Sequence, residues 1–119
     1  MSKHYIDTVE KYLSALTNQT RTAIPEIFAA NATVEDPVGT PAHEGMDAIV
    51  AFYEGAFNAG LKCELTGQVR VAGKSAAFSF SITIPGAMQI NAIDVFEFND
   101  EGKVVSMKAY WGPENVQTL

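Results

Sequence analysis

Three side chains in this sequence have the type and the setting for acid–base chemistry: Tyr12, Asp36 and Asp94. Asp94 lies in the stretch Ile90 to Phe98, I-N-A-I-D-V-F-E-F, whose period-two alternation puts it on one face with Ile90, Ala92, Phe96 and Phe98. A lone ionised carboxylate among such side chains carries a desolvation cost on the order of several kcal/mol, so it needs a hydrogen-bond partner, a proton, or both. Asp36 ends N-A-T-V-E-D, where alternation turns Ala32, Val34 and Asp36 one way and Thr33 and Glu35 the other. Pro37 biases Asp36 to extended backbone ahead of the loop D-P-V-G-T-P, a place from which a carboxylate reaches both substrate and water. Tyr12 sits on the apolar stripe of the first helix, where a buried hydroxyl needs a partner. Each also has a plain structural reading. Asp94 can cap a backbone group or follow a bulge, Asp36 can shape a turn, and Tyr12 can fill core. Convergence favours chemistry, because two inward carboxyls and a buried tyrosine in one small domain are not a random set of core defects.

The elements that must position these groups follow from periodicity. Tyr5, Val9, Tyr12, Leu13 and Leu16 recur at helical spacing from Ser2 to about Asn18, with Ser2 as a possible cap. After N-Q-T-R-T, Thr20 or Thr22 can cap a short helix through Phe28, with Pro25 tolerated in its first turn. The strand N-A-T-V-E-D comes next. His43, Glu44 and Gly45 close the loop after it, with His43 read as a surface residue. Ile49, Phe52, Tyr53 and Phe57 then mark a third helix from Met46 to Phe57. Beyond Gly60 the period becomes two, giving strands over 61–66, 68–72, 76–84, 88–98 and 104–111, an antiparallel meander. On the last strand Val105, Met107, Ala109 and Trp111 form the apolar face, with Tyr110 on the other side. The tail G-P-E-N-V-Q-T-L reads as a loosely held end. Helices followed by strands predict an α+β domain spanning 1–119. Its curved, mostly antiparallel sheet wraps around three N-terminal helices with a cone-shaped apolar cavity between them.

Composition narrows the partners. The chain has 119 residues, 47% of them hydrophobic and 18% charged, which suits one globular domain with a real core. A formal net charge of −6 without a basic cluster argues against nucleic acid and against anionic membrane surfaces, and favours a neutral small molecule. Cys63 is the only cysteine and the two histidines show no metal-ligand spacing, so neither a disulfide nor a metal is expected, and a reducing cytoplasm fits best. The N-terminal M-S-K-H-Y-I-D lacks an apolar run of signal-peptide length, so secretion is not expected.

The segments K-Y-L-S-A-L, A-T-V-E-D-P-V-G-T-P, A-I-V-A-F-Y, A-I-D-V-F-E-F-N-D-E-G-K-V-V-S-M-K-A-Y-W and E-N-V resemble bacterial Δ5-3-ketosteroid isomerases, within the nuclear-transport-factor-2-like fold. The resemblance runs from the first helix almost to the C-terminus. It implies Asp36 as general base, Tyr12 as oxyanion-hole tyrosine, Asp94 as a protonated oxyanion-hole acid and Tyr53 as hydrogen-bond partner of Tyr12. It further implies Phe52, Phe80, Met107 and Trp111 as pocket walls, a steroid-like substrate, no cofactor and a homodimer through the outer face of the sheet. Ketosteroid isomerase is the standard example of an aspartic acid kept neutral by an apolar site so that it can donate a hydrogen bond. Two departures stand out. Phe28 occupies a position where some members have a further tyrosine, which shortens the hydroxyl chain, and P-G-A makes a tight connection between Ile84 and Met88 at the pocket rim. A non-catalytic binder of apolar ligands, or a cyclase or hydrolase on the same fold, are the alternatives.

Overall fold

In the computed structural model, which describes residues 2–119, α1 (Ser2–Asn18) buries Tyr5, Val9, Tyr12, Leu13 and Leu16, the stripe that the spacing predicts. Gln19 ends it in the left-handed region at φ 59°, and the Thr20 N–H donates to the Ala15 carbonyl at 2.9 Å, a Schellman-type closure. The helix is fixed to the rest of the molecule near both ends. His4 Nε2 lies 2.9 Å from the Gly102 carbonyl, and Thr17 Oγ1 accepts from the Cys63 N–H at 2.9 Å while donating to its carbonyl at 3.3 Å.

The second helix is shorter than its pattern suggests. α2 spans Ala23–Ile27 without a side-chain cap from Thr22, and Phe28 is already extended and opens β1 (Phe28–Glu35). Burial decides this boundary: Phe28 is 1% exposed and serves the core from a strand. His43 and Glu44, read as loop, form a two-residue strand β2 antiparallel to β1. α3 (Met46–Asn58) follows, burying Ile49, Tyr53 and Phe57.

The sheet runs β2-β1-β7-β6-β5-β3, from β3 (Lys62–Leu65), β5 (Ser75–Ile84), β6 (Met88–Phe98) and β7 (Val104–Tyr110). All neighbours are antiparallel except β1 and β7, whose parallel pairing carries Asp36 to the end of β7 where Trp111 follows. The sequence pattern cannot show this, because the pairing joins strands some seventy residues apart. The region after Gly60 is not a simple meander either. β4 (Arg70–Ala72) does not lie beside β3; both pair with β5, as two pieces of one interrupted edge. A register shift between Glu97 and Phe98 brings Val104 into the core in place of Val105. The tail is ordered: after a 3-10 turn at Pro113–Asn115, β8 (Val116–Thr118) pairs with Met88–Ile90, continuing the edge of β6 that β7 leaves free.

One face of the sheet packs on the helices around an aromatic cluster. Tyr12 meets Phe28, Tyr53, Phe78 and Phe96 edge to face, with centroids 5.1–6.3 Å apart. Such pairs add about 0.5–1.5 kcal/mol each beyond their area burial. The helix that carries Tyr12 is therefore held by the core that the tyrosine belongs to.

Candidate active site

Asp94 lies mid-strand in β6, opposite Phe78 on β5 and Ala109 on β7, and alternation points it at the helices as predicted. It is 2% exposed, one of two buried polar or charged side chains among the described residues. Tyr12 from α1 and Tyr53 from α3 are equally buried, and their hydroxyls lie 2.8 Å apart. Asp36 sits one residue past β1 and remains partly open to solvent. The indole N–H of Trp111 donates to Asp36 Oδ1 at 2.9 Å.

These groups share one interior path. An inner space of about 50 Å³ is lined by Tyr12, Tyr53, Asp94, Asp36, Phe52, Phe80 and Trp111, among others. A wider mouth of about 340 Å³ shares Asp36, Phe52, Ala56, Leu61, Ile82 and Trp111 with it and adds Gly55, Ile84 and Ile90. The mouth is within the size range of small-molecule pockets, and the inner end has room for little more than one polar atom. Of the pocket walls implied by resemblance, Phe52, Phe80 and Trp111 line the path. Met107 does not. It is fully buried between Phe96 and Val34, at a level where the aromatic cluster already fills the interior. The P-G-A connection is a three-residue turn with Gly86 at φ 75° and the Ala87 N–H bonded to the Ile84 carbonyl at 3.0 Å. Phe28 packs its ring 5.7 Å from that of Tyr53, so the hydroxyl chain ends there.

The two carboxyls differ in setting. Burial, and then the charge of Asp36, push Asp94 well above the usual carboxylate range; the nearby Tyr12 hydroxyl opposes this more weakly. Asp94 is therefore biased toward its protonated form, the more so while Asp36 is ionised. Burial also raises Asp36, but the Trp111 hydrogen bond and His43 pull the other way, so it keeps its capacity to ionise. Tyr12 and Tyr53 are held well above their ordinary values, chiefly by burial, and stay neutral donors. The Cys63 thiol is pushed up to about 12, chiefly by burial, which removes it as a nucleophile at neutral pH. No group of His, Cys, Asp and Glu side chains suited to a metal ion occurs among the described residues. The arrangement can take a proton at Asp36 and donate hydrogen bonds from Tyr12 and Asp94 at the closed end of the same path.

Two features were not read from sequence. The resemblance makes Trp111 an apolar wall, yet a part-buried indole N–H calls for an acceptor, and that requirement points to an inward carboxylate. His43 reads as a surface residue from its loop sequence, yet its ring packs 4.4 Å from that of Phe52.

Comparison with known proteins gives three findings. A family model described as a SnoaL-like domain matches residues 9–107. A steroid Delta-isomerase from Nocardioides simplex is 38% identical over 116 residues, covering 95% of this chain and 94% of that protein. Among solved structures, the epoxide hydrolase/cyclase-like enzyme SalBIII, described for its role in pyran ring formation in polyether salinomycin, superposes with a TM-score of 0.91 at 31% identity. That match covers 99% of this chain and 97% of the other.

Proposed function

The chain belongs to the SnoaL-like domain family, and on that premise we propose that it is a steroid Δ-isomerase moving a C=C double bond from Δ5 to Δ4 in 3-oxosteroids. The observation that carries this reading is a single path holding two carboxyls in opposite settings, Asp36 at the shared mouth and Asp94 with Tyr12 at the closed end. The likeness to a steroid Delta-isomerase supports the substrate class.

In the proposed reaction Asp36 removes a proton from C4, beside the ketone, and returns it at C6 through a dienolate. New negative charge collects on the ketone oxygen at the narrow end. Tyr12 and Asp94 each donate a hydrogen bond to it there, and Tyr53 donates to Tyr12 so that the Tyr12 proton remains free for the substrate. Phe52, Phe80 and Trp111 form apolar walls for the flat ring system. No cofactor enters the scheme. We further assign a homodimer through the outer sheet face, where Ile93 and Tyr110 pair across β6 and β7 and both remain about half exposed, and a cytoplasmic setting suited to a free thiol.

Following the conjugated enone absorbance after adding 5-androstene-3,17-dione tests the reading. Wild-type protein should turn the substrate over, and Asp36→Asn should abolish most turnover while still folding and binding an equilenin-type phenol. Absence of turnover by the wild type, or wild-type turnover by Asp36→Asn, would overturn it. The structural likeness to a cyclase-like enzyme favours one second reading, in which the same acid and base act on an epoxide. Product analysis with an epoxide substrate separates the two.

A further inference from the structure

β2 is only two residues long, yet it places an ionisable ring beside the base. His43 pairs with Val34 in β1, and residues directly opposite in an antiparallel ladder point to the same face. Val34 is fully buried on the inward face, and Asp36 follows it by two positions, so His43 and Asp36 are diagonal neighbours at the rim of one sheet face. The His43 ring is half-buried and lies 4.4 Å from the ring of Phe52, which lines both parts of the substrate path. Gly45 seals this corner: its N–H donates to the Ala32 carbonyl at 2.9 Å, and its φ of 86° turns the chain from β2 into α3.

We propose that His43 is a positioning residue for this site, held against Phe52 so that, when protonated, it sets a positive charge beside the Asp36 carboxylate. The inference rests on the role proposed above for Asp36. The ionisable groups on the elements packed against β2 are Glu35 and Asp36 on and just beyond β1, and Asp47, Tyr53 and Glu54 on α3. Glu35 accepts the Gly39 N–H at 2.8 Å, and Glu54 is paired with Arg21 at 2.8 Å. Tyr53 is bonded to Tyr12, and Asp47 lies in the exposed first turn of its helix. Within β2 itself, Glu44 is exposed, on the opposite face. Asp36, partly buried and bonded on one oxygen to Trp111, is the carboxylate that this cation reaches.

The consequence is a base that stays ionised as the solution acidifies. A positive charge on the imidazole opposes protonation of a neighbouring carboxylate. Diagonal neighbours in a sheet lie roughly 7–8 Å apart, where a unit charge in a partly solvated setting changes a proton equilibrium by about threefold to tenfold.

The test is the acid limb of kcat/KM, which reports the base in the free enzyme. His43→Gln should move the limb to higher pH by about half a unit to one unit, equivalent to that threefold to tenfold factor, and leave turnover at pH 8 nearly unchanged. His43→Arg, which keeps a cation, should hold the limb at or below its wild-type position. A His43→Gln limb that superimposes on wild type overturns the proposal, as does an equal upward shift in both variants, which would mean that shape rather than charge is responsible. A readout independent of turnover separates this inference from the proposed function. The carboxyl 13C resonance of Asp36, titrated in wild type and His43→Gln, should show a higher midpoint in the variant. That shift without any isomerase activity would sink the functional reading alone, whereas activity without the shift would sink this one.

Discussion

If Asp94 holds a proton in the fold, it should weaken the protein at neutral pH, and Asp94→Asn should relieve that weakness. Its carboxyl is raised well above the ordinary range, first by burial and then by the charge of Asp36. The folded state therefore binds a proton that the unfolded chain releases near its reference value of about 3.9. Below that pH both states are protonated and the contribution is fully present. As pH rises, the unfolded chain ionises first, and stability is lost by up to about 1.4 kcal/mol per pH unit until the carboxyl ionises in the fold. Asparagine cannot titrate, so subtracting the two proteins cancels every group that is not coupled to Asp94. Above the unfolded-state value the variant should therefore gain on wild type by up to about 1.4 kcal/mol per pH unit, which for a domain of this size is a relative rise in Tm of about 5 °C per unit. Urea unfolding at half-unit pH steps measures the gap, which should be smallest at pH 4. Because Asp36 is one of the causes, the same comparison in an Asp36→Asn background should give a shallower divergence. Parallel stability curves from pH 4 to 8 would show that Asp94 ionises as freely in the fold as outside it, and the assignment of a protonated donor would fail.

Other expectations concern the groups around that acid. Tyr12→Phe removes one donor at the closed end and should lower turnover by roughly 10²–10³ with far-UV circular dichroism unchanged. A loss below threefold would remove Tyr12 from the proposed oxyanion hole. Trp111→Phe deletes the 2.9 Å bond to Asp36 and keeps an aromatic wall, so the carboxylate loses a bond that favours its charged form. A hydrogen bond to a charged group is worth about 1.5–3 kcal/mol, which sets an upper limit of about one to two pH units on the resulting upward shift of the acid limb. Partial exposure of Asp36 makes the lower part of that range the expectation, and an unmoved limb would count against the role given to Trp111.

Much of this architecture was legible because local pattern and burial agree. Period two across Ile90–Phe98 turns Asp94 inward, and the stripe in α1 buries Tyr12. What was illegible depends on pairings that no local window contains. The parallel contact of β1 with β7 brings Trp111 to Asp36, two residues seventy-five positions apart. The register shift at Glu97/Phe98 reverses which of Val104 and Val105 is inward, because one extra residue changes the face of everything beyond it. Pairing with Met88–Ile90 orders a tail whose composition alone reads as loose. Met107 illustrates the remaining limit. Alternation gives its face correctly but not its depth, and depth separates a pocket wall from core.

The two tethers of α1, at Gly102 and at Cys63, carry a meaning for how accurately Tyr12 can aim. They grip the helix on either side of the tyrosine, one roughly 12 Å along the axis and the other roughly 7.5 Å, at 1.5 Å of rise per residue. A rod pinned at two points can neither slide along its length nor swing about a single pivot. The Tyr12 hydroxyl is thus registered against the sheet by contacts well outside the cavity, and in the proposed reaction it need not search for the nascent enolate oxygen once a ketone has docked.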